Sequence, residues 1–92
     1  MNKFNLGTVV TTSMVHNRME SDSKFASSVI SCFQRYTRGD WGSLSKSDKA
    51  ENDKALRDGK RIFASYNIGS DKINIITEWD RSVTTILFSF EY

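Results

Sequence analysis

The last third of the chain contains three short, largely apolar segments that turn-forming residues separate. These segments cover residues 60–68, 72–79 and 82–90, and β-branched and aromatic side chains dominate them. Gly69-Ser70-Asp71 and Asp80-Arg81 stand between the segments. Because connections this short join neighbouring strands in opposite directions, the pattern predicts an antiparallel three-stranded meander.

The apolar spacing changes to a helical period after Lys24. Four side chains at intervals of three or four residues form one stripe: Phe25, Val29, Phe33 and Tyr36. Asp22 or Ser23 can accept hydrogen bonds from the free N–H groups at the start of this helix, and Gly39 ends it. The stripe predicts an amphipathic helix with one face in the core.

The remaining segments carry weaker patterns. Residues 4–12 are β-branched and apolar with one glycine, which predicts a first strand. Residues 13–23 are polar and fit either a loop or a short irregular helix. Residues 46–58 are rich in helix formers but hold few apolar side chains. They therefore predict a second helix that lies on the surface.

These elements predict an α+β fold in a single domain that spans residues 1–92. The expected sheet is antiparallel and has three or four strands, with one or two helices packed on a face. A chain of this length has apolar material for only one core. The predicted core residues are Val9, Phe25, Val29, Ile30, Phe33, Trp41, Ile62, Ala64, Ile75, Ile86 and Phe88.

The composition fits a small folded domain and argues against several classes of protein. Hydrophobic residues make up 38% of the chain and aromatic residues 12%, which argues against disorder. The formal net charge of +2 is too small to indicate a nucleic-acid partner by itself. A single cysteine excludes an internal disulfide, and no apolar run has the length of a signal peptide or a membrane span. We expect a cytoplasmic protein with no membrane partner, no metal and no cofactor.

Arg38-Gly39-Asp40 spells the tripeptide that integrins bind, but that recognition needs an exposed loop of a secreted protein. The run from Gly39 to Gly42 favours a structural corner instead. Gly39 would end the helix, Asp40 would bond backbone N–H groups of the turn, and the Trp41 ring would cover the edge of the core.

Few side chains in the sequence offer chemistry. Glu78, Asp80 and Arg81 gather at one turn. Acid–base catalysis or binding of a divalent cation is an alternative there to a turn stabilised by the Asp80 side chain, and we favour the turn. His16 has no partners at metal-ligand or catalytic spacing, so we expect a surface histidine. The helical position of Cys32 favours a small buried side chain over a reactive thiol. The sequence favours a protein without enzymatic activity.

Basic side chains flank the ends of the two predicted helices: Arg35, Arg38, Arg57, Lys60 and Arg61. These side chains could converge on a patch that meets a phosphate backbone or an acidic protein surface. Basic residues near the C-terminal end of a helix also stabilise the helix dipole, which is the structural alternative. No helix-turn-helix, zinc or RNA-binding signature supports the nucleic-acid interpretation.

Several short motifs together resemble a family of small bacterial proteins found on plasmids, phages and integrated elements. The motifs are Gly39-Asp40-Trp41-Gly42, Ile76-Thr77-Glu78, Asp80-Arg81-Ser82, Thr84-Thr85-Ile86-Leu87 and Glu91-Tyr92. The resemblance covers roughly residues 33–92. This chain departs from the family pattern at Tyr36, where a histidine is typical, and at Ser89, where a proline is typical. No catalytic residue is carried over, because no activity is established for that family.

Two functional hypotheses of different classes follow. The preferred one is a non-enzymatic inhibitor from a phage or other mobile element that binds and blocks a host defence complex. An anti-CRISPR protein directed against a CRISPR effector is its sharpest form. This hypothesis rests on the kind of genome that the resembling family occupies. The alternative is a small nucleic-acid-binding accessory or regulatory protein that uses the arginine residues.

A partner surface is expected on the sheet face that the first helix leaves free, because the second helix is too polar to cover it. Phe63, Trp79 and Tyr92 are expected there beside Arg61 and Arg81, and these residue types are typical of interface hot spots. Coverage by the N-terminal segment and a symmetric homodimer through this face are the alternatives. The predicted partner-binding residues are Arg35, Arg38, Arg61, Phe63, Trp79, Asp80 and Arg81.

Overall fold

The computed structural model describes residues 2–92; Met1, the first residue of the predicted domain, lies outside the described residues. Within residues 2–92 the chain forms four strands, three α-helices and a final 3-10 turn, so the predicted α+β class is confirmed. In chain order the elements are β1 (Thr8–Thr11), α1 (Ser13–Ser21), α2 (Ser23–Thr37), α3 (Lys46–Asp58), β2 (Ile62–Ile68), β3 (Asp71–Thr77), β4 (Val83–Phe88) and the 3-10 turn (Ser89–Glu91).

The sheet is mixed, with the strand order β1-β4-β3-β2. β2, β3 and β4 form the predicted antiparallel meander. β1 instead lies parallel to β4, with Thr8 opposite Val83 and Thr11 opposite Ile86. The prediction of a fully antiparallel sheet is therefore wrong at this strand. The connection between the two strands runs through three helices, β2 and β3, and this length permits a parallel pairing, which a short hairpin turn would exclude.

The polar segment after β1 is helical, so the structure has three helices where one or two were predicted. Thr12 caps α1, since its hydroxyl accepts from the N–H of Val15 at 3.3 Å. Asp22 caps α2, since its carboxylate accepts from the N–H of Phe25 at 3.0 Å. Val15 is the buried residue of α1, which lacks the apolar stripe that identifies a helix in a sequence. None of the helices in residues 2–92 has both the length and the apolar character to span a membrane.

The core lies between the sheet and the two helices α1 and α2. The predicted core residues that are buried are Phe25, Val29, Trp41, Ile62, Ala64, Ile75, Ile86 and Phe88. Phe33 is half-buried and packs against this cluster. Val9 and Ile30 were wrongly predicted to be buried, and are 43% and 53% exposed. Val9 lies on the outermost strand of the sheet, and Ile30 lies outside the buried stripe of α2.

Residues 39–42 form a structural corner that attaches the chain after α2 to the sheet. Trp41 is buried, and its Nε1 donates to the Asp53 carboxylate of α3 at 2.9 Å. Gly42 bridges to Ser65 of β2 with a φ of 76°. A Cβ atom at Gly42 would overlap the carbonyl oxygen of Ser65. The close backbone approach therefore requires glycine here.

Candidate functional site

The side of the sheet that faces away from α1 and α2 carries an apolar row, and we call this side the open face. Alternate positions along a strand point to opposite faces, so the register of the strands identifies its members. The middle row of the open face consists of Val10, Thr85, Ile76 and Phe63. Ile76 is buried and Phe63 is half-buried, whereas Val10 is 40% exposed. The open face thus becomes more accessible towards β1.

Tyr92, the last residue of the sequence, lies against the β2 end of the open face. Its ring meets the Phe63 ring edge-on, with 5.5 Å between the centroids. The Arg61 guanidinium lies 5.6 Å from the centre of the Tyr92 ring and donates to the Tyr92 hydroxyl. Glu91 holds the chain end in place, because its carboxylate accepts from the N–H of Phe88 at 2.8 Å. Tyr92 remains 65% exposed.

Trp79 lies at the turn between β3 and β4 and is 67% exposed. Arg81 connects this turn to the start of β2, because its guanidinium donates to the carbonyl oxygens of Trp79 at 3.4 Å and Lys60 at 2.7 Å. It also donates to the carbonyl oxygen of Ala55, near the end of α3, at 3.1 Å. Because Lys60 directly precedes Arg61, these hydrogen bonds tie Trp79 to the end of the sheet where Tyr92 lies.

Four side chains at this end of the sheet make up what we call the aromatic patch: Arg61, Phe63, Trp79 and Tyr92. Arg81 was predicted to belong to the same surface. Its half-buried guanidinium donates to four backbone carbonyl oxygens, and its role in binding a partner stays a prediction. The hydrogen bonds of Arg81 therefore hold the backbone that carries the aromatic patch. The side chains of Trp79 and Tyr92 remain exposed to solvent.

Asp80 shapes the turn that carries Trp79. Its carboxylate accepts from the N–H of Ser82 at 3.1 Å and from the Ser82 hydroxyl at 2.6 Å. These hydrogen bonds hold the pKa of the Asp80 carboxyl below its ordinary value. A lowered pKa makes a carboxylate a weaker base, so the contacts fit the predicted Asp turn better than acid–base catalysis with Glu78.

Arg35 and Arg38 lie at the C-terminal end of α2 and have different neighbours from the aromatic patch. Arg35 donates to both carboxylate oxygens of Asp40, at 2.8 and 3.2 Å. This bonding raises the pKa of Arg35 and lowers that of Asp40. The Arg35 guanidinium also lies 5.2 Å from the centre of the Tyr66 ring, and Arg38 is exposed. The predicted site residues therefore divide into two groups.

His16 and Cys32 occupy the environments that were predicted for them. His16 is exposed on α1 and pairs with Glu20 one turn later. Cys32 is buried in α2, and burial raises the pKa of its thiol. In the part of the chain that the structure describes, no three His, Cys, Asp or Glu side chains converge as metal ligands would. Neither His16 nor Cys32 contributes to the aromatic patch.

Three buried hydroxyl groups form a hydrogen-bonded row in the core, which the sequence did not predict. The Tyr36 hydroxyl lies 2.7 Å from Thr77 Oγ1, which lies 2.8 Å from Thr84 Oγ1. Thr84 in turn donates to the carbonyl oxygen of Leu6 at 2.7 Å. Burial raises the pKa of the Tyr36 hydroxyl, so it stays protonated and available as a donor. The strand pairing could have shown that the two threonines are neighbours, but their burial depends on α2 and the N-terminal segment.

Comparison with known proteins identifies no relative of this chain. No protein-family model, no curated protein and no solved structure matches this chain.

Proposed function

We propose that this chain is a non-enzymatic protein that binds a protein partner through the aromatic patch and blocks it. The observation that carries the proposal is the exposure of Trp79 and Tyr92, at 67% and 65%, beside one end of the sheet. Burying a large apolar side chain contributes about 1.5–3 kcal/mol. Much of that free energy is left unused in the isolated protein, and a complementary partner surface would recover it.

The aromatic patch has the residue types of an interface hot spot, and its side chains are already held in position. Tryptophan, tyrosine and arginine are the residue types that dominate binding energy at interfaces. Arg61 is already held by the Tyr92 ring and hydroxyl, and the Tyr92 ring is supported by Phe63. Side chains that are positioned before binding lose less conformational entropy when the partner arrives.

We further propose that the partner is a host defence complex, most specifically a CRISPR effector. The resemblance to proteins carried by mobile elements supports this choice. An inhibitor of this kind needs an interface that covers a functional surface of its target. A standard interface buries about 800 Å² on each partner. The protein exposes 5537 Å² in total, so a small fraction of its surface is sufficient.

The proposal is tested by expressing the protein in bacterial strains that each carry one CRISPR or restriction system. The plating efficiency of a targeted phage is compared with that on the same strain without the protein. We expect rescue of the phage in at least one strain. A broad set of systems in which no phage is rescued, although circular dichroism shows the protein to be folded, would overturn the proposal.

Nucleic-acid binding is the competing outcome. It predicts a complex with labelled DNA or RNA that weakens steeply with salt, because each neutralised phosphate releases counterions. Arg35 and Arg81 already donate to Asp40 and to backbone carbonyl oxygens, so the protein-binding proposal expects no such complex. A salt-sensitive complex that persists after Trp79→Ala and Tyr92→Ala substitution would replace the proposal.

A further inference from the structure

The two edges of the sheet differ in how their backbone groups are satisfied. At the β2 edge, the Asn52 side chain of α3 takes the place of a neighbouring strand. Its Nδ2 donates to the Phe63 carbonyl oxygen at 2.6 Å, and its Oδ1 accepts from the Phe63 N–H at 3.2 Å. The N–H of Ser43 donates to the Ser65 carbonyl oxygen at 2.7 Å. The β2 edge is therefore closed to another strand from Phe63 to Ser65.

The β1 edge is the outer edge on the other side of the sheet. The N–H groups of Thr8 and Thr12 point inward and donate to the carbonyl oxygens of Ser82, just before β4, and of Ile86 in β4, each at 3.0 Å. Backbone groups alternate in direction along a strand, so the N–H and C=O groups of Val9 and Thr11 point outward. Val9 is 43% exposed and Val10 is 40% exposed, so the side chains leave this edge accessible.

The β1 edge also lacks the residues that commonly protect an edge strand. Proteins block such edges with charged side chains, proline or a covering element. Residues 4–15 contain no charged residue and no proline, although charged residues make up 26% of the chain. Met14, in the first turn of α1, adds a further exposed apolar side chain, at 48%. The segment around β1 thus presents unpaired backbone groups within an uncharged, β-branched surface.

We propose that β1 pairs with β1 of a second copy of this chain, in an antiparallel dimer centred on Val10. With Val10 opposite its own copy, Val9 of each chain lies opposite Thr11 of the other. Val9 and Thr11 are the residues whose backbone groups point outward, so the pairing forms four inter-chain hydrogen bonds. In the same register Thr8 lies opposite Thr12. Centring the dimer on Val10 therefore uses the free backbone groups of the whole strand.

The sequence of this edge matches a second copy of the chain. A two-fold axis brings identical or symmetry-related residues together, so a charged edge would meet like charge. The uncharged run from Thr8 to Thr12 avoids this repulsion, and every opposing pair combines valine or threonine. Such β-branched pairs stabilise adjacent strands. A carboxylate, that of Glu91, bonds to the Thr12 hydroxyl at 2.9 Å and is half-buried at one end of this edge.

The dimer would join the two open faces into one continuous surface. Val10 belongs to the open face and would pack against its own copy at the centre of an eight-stranded sheet. The two β2 strands would then lie seven strand spacings apart, roughly 34 Å. Each end would carry one aromatic patch, which would allow bivalent contact with a symmetric partner. The pairing of β1 itself does not rest on the proposed function.

Sedimentation velocity of the purified full chain, up to several hundred micromolar, tests the dimer. We expect a concentration-dependent species of twice the 10.5 kDa monomer mass. Val10→Lys should abolish it by placing two like charges opposite each other, whereas Ile30→Lys, at the 53% exposed position on α2, should not. Both variants should remain folded, because both side chains are exposed in the monomer.

Amide hydrogen exchange provides the second measurement, since it reports on the strand pairing itself. In the dimer the N–H groups of Val9 and Thr11 should exchange more slowly than in the Val10→Lys variant. A wild-type protein that stays monomeric at every concentration would overturn the proposal. A dimer that survives Val10→Lys but dissociates after Trp79→Ala would overturn it as well, because the aromatic patch would then be the interface.

Discussion

Replacing Arg81 with alanine should destabilise the fold, because the Arg81 guanidinium connects three parts of the chain. It donates to the Lys60 carbonyl oxygen before β2 at 2.7 Å. It also donates to the carbonyl oxygens of Ala55 in α3 and of Glu78 after β3, each at 3.1 Å. Water can replace the arginine at the exposed Lys60 carbonyl. The part-buried carbonyls of Ala55 and Glu78 each keep a backbone donor after the truncation, the N–H of Lys60 at 3.1 Å and the N–H of Arg81 at 2.9 Å. The loss therefore comes from the two charge-assisted hydrogen bonds themselves.

The size of the effect follows from those two part-buried hydrogen bonds. A hydrogen bond to a charged group contributes about 1.5–3 kcal/mol. Because Arg81 is itself half-buried, the low end applies to each bond, and the expected loss is about 3 kcal/mol. A domain of this size loses about 4–8 °C in melting temperature for each kcal/mol. The Arg81→Ala variant should therefore melt about 12–24 °C below the wild type.

A glycine variant separates the hydrogen bonds from the backbone conformation. Arg81 has a φ of 60°, in the left-handed region where a side chain costs about 1 kcal/mol or more. Arg81→Gly loses the same hydrogen bonds as Arg81→Ala but relieves this strain. The glycine variant should therefore be more stable than the alanine variant by about 1 kcal/mol.

Urea unfolding followed by tryptophan fluorescence measures all three proteins on one scale. Arg38→Ala is the matched control, because Arg38 is an exposed arginine at the end of a helix and should change stability by at most about 0.5 kcal/mol. An Arg81→Ala variant as stable as this control would refute the structural role of the guanidinium. A glycine variant less stable than the alanine variant would refute the strain.

Three further substitutions test other parts of the structure by urea unfolding. Gly42→Ala should cost about 3 kcal/mol, because its Cβ would overlap the Ser65 carbonyl oxygen; an unchanged unfolding midpoint would refute this contact. Tyr36→Phe should cost about 1 kcal/mol, because one fully buried hydrogen bond is lost while its threonine partner keeps another; a stability gain would contradict it. Arg35 lowers the pKa of Asp40, so this pair stabilises the fold above the ordinary carboxyl pKa of 3.8 and loses its effect as the pH falls below that value. Asp40→Asn should therefore reduce the loss of stability in acid, and an identical pH profile would contradict this.

The parts of the fold that could be predicted are those whose patterns are local. The three C-terminal strands follow one another through short turns, and α2 carries a regular apolar stripe. The direction of β1 depends on a partner strand more than seventy residues away, which no local pattern encodes. α1 buries Val15 and packs the half-buried Met19 against the core, but its other residues are polar or exposed, so its sequence resembles a loop.

The candidate site was predictable in its residue types but not in its arrangement. Trp79 and Tyr92 were expected on an uncovered surface because α3 is too polar to bury them, and both are exposed. Arg81 has the residue type of a hot spot, yet it donates to backbone carbonyl oxygens. Hydrogen bonds between a side chain and a distant backbone leave no pattern in the sequence. For the same reason the role of Asn52 at the β2 edge was not predicted.

Phage plating with variants of the aromatic patch tests the central claim most directly. In a strain whose defence the wild-type protein blocks, the Trp79→Ala and Tyr92→Ala double variant is compared with Ile30→Ala, which removes an exposed apolar side chain from α2. We predict that the double variant stays folded and loses the rescue of the phage, whereas Ile30→Ala keeps it. A folded double variant that rescues the phage as well as the wild type would contradict the claim that the aromatic patch binds the defence complex.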